Sequence, residues 1–65
     1  MKITAHTKYG VFEGVSAPYN EDDWEKLTNL IKESKNLSYF CMVTNTGEIY
    51  FTPEMIEDTL FVLEK

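Results

Sequence analysis

Tyr39-Phe40-Cys41-Met42-Val43-Thr44-Asn45-Thr46-Gly47-Glu48-Ile49-Tyr50-Phe51 reads as two strands around a tight turn, and its pairing decides which side becomes core. A strand with one wet face alternates apolar and polar residues. Tyr39 to Val43 is instead apolar at every step. Asn45-Thr46-Gly47 is a three-residue loop signal with glycine last. Such a loop pairs Thr44 with Glu48, Val43 with Ile49, Met42 with Tyr50 and Cys41 with Phe51. One face then carries Tyr39, Cys41, Val43, Ile49 and Phe51 and is expected to be core. The other carries Phe40, Met42, Thr44, Glu48 and Tyr50.

The flanking segments supply what covers the first face. In Ala17-Pro18-Tyr19-Asn20-Glu21-Asp22-Asp23-Trp24, Pro18 ends a strand and Asn20 is a good N-cap. Three acids follow in the first turn, where the helix dipole favours them. Tyr19 and Trp24 have the spacing of a hydrophobic staple. Trp24, Leu27, Leu30 and Ile31 form one helical stripe. The helix is expected from about Glu21 to Ser34 or Lys35, with Asn36 left-handed and Leu37 folding back on the last turn. After the hairpin, Thr52 caps, Pro53 takes the first helical position, and Phe51 with Ile56 repeats the staple. This second helix ends near Asp58. Leu60-Phe61-Val62-Leu63 reads as a last strand, and it adds either Phe61 and Leu63 or Leu60 and Val62 to the side of Phe40, Met42 and Tyr50.

A first hairpin is expected from Lys2–Thr7 and Val11–Ser16, turning at Lys8-Tyr9-Gly10. In that register Glu13 lies opposite Ala5, on a face shared with Ile3, Val11 and Val15. An unpaired charge there is costly. A two-residue loop would change the pairing and place Glu13 opposite His6, because a slip moves residues to the other face. The whole order is β-β-α-β-β-(short helix)-β. That is a single α+β domain over residues 1–65, with a small antiparallel sheet and one amphipathic helix packed on it.

Composition limits the function. The 65 residues carry a formal net charge of −5, and all six basic residues are scattered lysines. Arginine supplies the fork used on phosphates and base edges, so direct nucleic-acid binding is not expected, nor is docking to an anionic membrane. Apolar residues make up 43% and aromatics 14%, which excludes the composition of a disordered chain. One cysteine allows no internal disulfide. One histidine and no CxxC leave a zinc site unsupported, so no metal or cofactor is expected. A reducing cytoplasm fits best. The start lacks the apolar run of a signal peptide, and nothing approaches a membrane span.

Each chemical candidate has a plainer reading. Glu21, Asp22, Asp23 and Glu25 are the ordinary acids of a helix N-terminus rather than a cation site. His6 as a base would need Ser16 or Cys41 as nucleophile, and neither sits in a nucleophile elbow. Carboxylate pairs among Glu13, Glu48 and Glu57 stay open as acid–base partners. Cys41 is a small hydrophobe by default. Glu13 could lie at the rim, bind a lysine or grip a ligand.

The uncovered face points to binding. Phe40, Met42 and Tyr50, with Phe61, form an apolar surface that one helix cannot cover. Either the N-terminal hairpin curls over part of it in a barrel-like closure, or another protein covers it. Exposed patches of this kind mark interfaces, and aromatics with methionine are their usual residues. A symmetric homodimer is the commonest solution.

Gly47 to Leu63, a hairpin followed by a Pro-led helical turn and a short closing strand, resembles the ends of small bacteriophage accessory proteins. Chain length and an acidic, arginine-free composition are similar to small phage inhibitors of bacterial defence systems. The resemblance implies an oligomeric, non-enzymatic binder in the cytoplasm of a bacterial host. The alternative is an oligomeric sponge for a small nucleotide signal, with Tyr9, Phe12, Tyr19 and Trp24 stacking on a base and lysines or backbone amides holding phosphate.

Overall fold

The computed structural model describes residues 1–36 and 39–65, and of Lys35 the backbone alone. The strands are β1 (Lys2–Thr7), β2 (Gly10–Glu13), β3 (Phe40–Thr44), β4 (Gly47–Phe51) and β5 (Leu60–Glu64). Helix α1 spans Glu21–Lys32, a 3-10 turn follows at Ser34–Asn36, and α2 spans Pro53–Glu57. The fold is α+β in the expected order. Its antiparallel strands divide into a three-stranded sheet, β2-β1-β5, and a two-stranded sheet, β3-β4.

Both hairpins turn one residue tighter than the loop signals indicated. Thr7 pairs with Gly10 and Thr44 with Gly47, so each loop has two residues. The cause is shared. Thr7 Oγ1 donates to the Gly10 carbonyl at 3.0 Å and accepts from the Tyr9 amide at 3.0 Å. Thr44 Oγ1 donates to the Gly47 carbonyl at 3.0 Å and accepts from the Thr46 amide at 3.4 Å. Thr-x-x-Gly is thus the real turn signal in both places, with the hydroxyl satisfying turn backbone. Gly10 and Gly47 have φ of 131° and 156° and join their strands.

A one-residue slip reverses a face, and it does so in β3. The pairs are Phe40 with Phe51, Cys41 with Tyr50, Met42 with Ile49 and Val43 with Glu48. Phe40 and Met42, expected on the open surface, are core at 4% and 2% exposure. Tyr39 and Val43, expected in the core, are exposed, and Cys41 is half-buried on their side. In β4 the expectation holds, since Ile49 and Phe51 face inward. In β2, Glu13 lies opposite Thr4, neither Ala5 nor His6.

The core is Ala5, Phe40, Met42, Phe51 and Ile56, with Ile3, Phe12, Ile31, Ile49, Met55 and Phe61 packed around it. Phe40, Phe51 and Phe61 form a triangle with centroid separations of 5.9, 5.2 and 5.6 Å. Phe61 is therefore half-buried against the core, where an interface role had been expected. The sheets face one another and are stitched at one corner. The Gly14 amide donates to the Ile3 carbonyl at 2.8 Å and the next amide, Val15, to Val43 of the other sheet at 3.0 Å. This is the partial closure by the N-terminal hairpin.

Helix α1 begins as expected. Asn20 Oδ1 accepts from the Asp23 amide at 3.0 Å, and the Tyr19 and Trp24 rings lie 6.2 Å apart. It ends at Lys32, short of the expected limit, and Asn36 lies in the 3-10 turn with no left-handed φ. The expected fold-back of Leu37 falls outside the described residues. No residue of α1 is buried; Ile31 alone packs on the core cluster and Leu30 is exposed. The stripe thus touches the sheets at its end rather than lying along them. In α2, Thr52 caps, Pro53 leads, and Phe51 and Ile56 are both core.

Gly14 carries the tightest backbone approach. A Cβ there would stand 2.9 Å from both Cγ2 and O of Ile3 and 3.5 Å from the Val43 carbonyl. Two of those three contacts are backbone and cannot swing away. Gly14→Ala should therefore destabilise the fold by about 1–3 kcal/mol, read as a lower urea midpoint. An unchanged midpoint would show that the corner yields.

Candidate interaction surface

The outer face of β3–β4 is built by strand alternation. Facing Phe40, Met42 and Phe51 inward turns Tyr39, Cys41, Val43, Glu48 and Tyr50 outward. Tyr39, Val43 and Tyr50 are 62%, 56% and 64% exposed. The Tyr39 and Tyr50 rings lie 6.3 Å apart, tilted at 45°. Glu48 Oε2 ties the centre together. The Tyr50 hydroxyl donates to it, and Cys41 Sγ approaches it at 3.7 Å. The hydrogen bond to Glu48 and the negative charge of its carboxylate push the Tyr50 phenol up to about 12. Tyr50 alone of the four expected interface residues is exposed; its neighbours are Tyr39 and Val43, and sequence reasoning put both on the wrong side.

A second feature is an open cleft of about 490 Å³ between Phe12–Glu13 of β2 and the β3–β4 turn, reaching Glu48 and Ile49. Both carboxylates at its walls are engaged. Glu13 Oε1 accepts from Lys2 Nζ at 2.7 Å, which holds the Glu13 carboxyl below its ordinary range and raises Lys2. Glu13 is therefore a rim residue paired with a lysine. Glu48 is the acceptor for Tyr50.

The remaining candidates are dispersed. His6 is exposed on β1 between Val11 and Leu60, on the outer face of the three-stranded sheet. Cys41 lies on the outer face of the other sheet, and Ser16 is exposed in the loop after β2. Among the described residues, His6 makes no hydrogen bond to either Ser16 or Cys41, and the one thiol contact with a carboxylate is Cys41 Sγ to Glu48. Among the described residues, no three His, Cys, Asp or Glu side chains group in a way that would hold a metal. The stacking quartet is split three ways. Tyr9 sits exposed at the first turn under Lys8 Nζ, 5.4 Å from its ring centroid. Phe12 packs on the core cluster. Tyr19 and Trp24 stay together, with Lys65 Nζ 5.7 and 5.5 Å from their centroids. Glu21, Asp22 and Asp23 occupy the first turn of α1, as ordinary helix-start acids do. Among the described residues no helix is long and apolar enough to cross a membrane.

Comparison with protein-family models, with curated proteins and with solved structures finds no match to this chain.

The Glu48–Tyr50 bond has a readable titration. The Tyr50 phenol should ionise near pH 12 in an ultraviolet titration, and Glu48→Gln should bring it down toward the ordinary value near 10. The folded pKa is raised, so the stabilisation is complete below the unfolded value and is lost as pH rises from about 10 through 12. A titration curve left unchanged by Glu48→Gln would disprove the bond.

Proposed function

We propose that the chain is a non-enzymatic binding protein that works as a homo-oligomer and meets its target through the outer face of β3–β4. The observation that carries this reading is the exposed Tyr39–Val43–Tyr50 surface, backed by a core that already buries Phe40 and Met42. Tyrosine supplies large amphipathic contact area with few rotatable bonds and is enriched where proteins recognise one another. The net charge of −5 favours a basic partner surface and speeds encounter with it. The dispersal of His6, Ser16 and Cys41 supports binding over catalysis. The resemblance to small phage inhibitors supports a bacterial defence component as the target class, met in the host cytoplasm.

The test is affinity capture from bacterial lysate with the wild-type chain and with Tyr39→Ser/Tyr50→Ser. Both substitutions lie on exposed side chains, so circular dichroism should not change. A specific protein should be retained by the wild type and weakened about tenfold or more in the variant. Equal retention by both would remove this face from recognition.

The second reading is the nucleotide sponge, and Lys65 over the Tyr19–Trp24 pair favours it, since that pair offers stacking beside a cation. The acidic first turn of α1 beside it repels phosphate. A thermal-shift screen against cyclic nucleotides separates the readings: the binding-protein reading expects no shift, and a saturable rise in melting temperature lost in Trp24→Ala would reverse the order.

A further inference from the structure

We infer that β5 is the seam of a two-fold homodimer, in which β5 of one copy pairs antiparallel with β5 of the other and joins two three-stranded sheets into one of six. This deepens the homo-oligomer reading above and rests on it. Strand β5 lies at the edge of its sheet and is bonded to β1 alone. Among the described residues, no backbone or side-chain hydrogen bond reaches its other edge. Alternate amides and carbonyls there face outward, and a strand matches them best.

The edge also lacks the usual protection. Natural edge strands carry proline, a bulge or a mid-strand charge against pairing. Leu60-Phe61-Val62-Leu63 has none of these, and its only charge is Glu64 at the end. Leu60 is 66% exposed, and Val62 is exposed beside it on the outer face. Phe61 and Leu63 face the core and remain half-buried. A second β5 would cover the open side of all four.

The strand is complementary to a second copy of itself, and avoidance of like charges fixes the register. Centring the two-fold axis on Val62 sets Val62 against Val62, Phe61 against Leu63, Leu60 against Glu64 and Thr59 against Lys65. Every pair keeps its face, because antiparallel partners share one side of the sheet. No like charges oppose one another, although each chain carries −5. Moving the axis to Phe61 would oppose Asp58 and Glu64, and moving it to Leu63 would shorten the paired stretch.

The register makes opposite outcomes for two substitutions at one exposed site. Sedimentation equilibrium should give the wild-type chain twice its 7.6 kDa mass. Leu60→Glu faces Glu64 of the other copy and should raise the dimer dissociation constant about tenfold or more, while Leu60→Lys, facing the same carboxylate, should keep the dimer. Val11→Glu adds the same charge to the same sheet face away from the seam and should also keep it. Circular dichroism should be the same for all. A dimer retained in Leu60→Glu, or lost equally in Leu60→Lys and Val11→Glu, would overturn the seam and leave the homo-oligomer reading standing. A wild-type monomer at the highest soluble concentration would overturn both.

Discussion

The contact between Phe40, Phe51 and Phe61 is the constraint on which the other placements depend. These rings come from β3, β4 and β5, and they join two sheets that share no strand. Ala5 makes the space for them. It pairs with Phe12 on one side and Phe61 on the other, so this row of the sheet runs large, small, large. The rings of the facing hairpin settle over the small residue, which is fully buried. Large and small residues alternating across a layer interdigitate at native density, and uniform ones leave voids or clashes. The Gly14–Val15 corner fixes how far apart the sheets stand, since only a residue without a side chain lets Ile3 approach.

The local signals were legible in the sequence and the register was not. Asn20 and Thr52 cap their helices because their oxygens reach amides three residues on, an interaction contained within four residues. The hairpins differ in kind. Asn45-Thr46-Gly47 fits either loop length by residue preference, and the choice is made by the Thr44 hydroxyl bonding across the turn. Thr7 does the same, so the recurrence of Thr-x-x-Gly was a signal available to a reader comparing the two turns. Missing it exchanged Phe40 and Met42 for Tyr39 and Val43. Nothing local identifies the β1–β5 pairing, which joins the two ends of the chain and is settled by Phe61 reaching the other two rings.

Helix α1 shows what a small sheet can and cannot bury. Of its stripe, Trp24, Leu27 and Ile31 are half-buried, Leu30 is exposed, and none is fully buried. Five strands of four to six residues offer one inner surface, and the sheets already use it on each other. The helix is left with the margin. Ile31 touches the core cluster at one end, and at the other Trp24 shares the Lys65 ammonium with Tyr19. Elements joined to the core by few buried contacts open at lower free energy than the strands they flank.

Sheet-on-sheet packing also decides what is left for recognition. Each sheet has a second face, and the two differ in chemistry. The outer face of β2-β1-β5 holds Val11, Leu60 and Val62 around His6, with Lys2 and Glu13 paired at one end. The outer face of β3–β4 holds two tyrosines, one of them fixed by Glu48. A side chain already held in place loses less rotamer freedom when a partner arrives, so an ordered tyrosine gives more of its contact energy to binding than a free one. In the binding role proposed for this face, Glu48 acts without touching a partner. It orients Tyr50 by accepting from the phenol hydroxyl, and the same carboxylate raises that phenol to about 12.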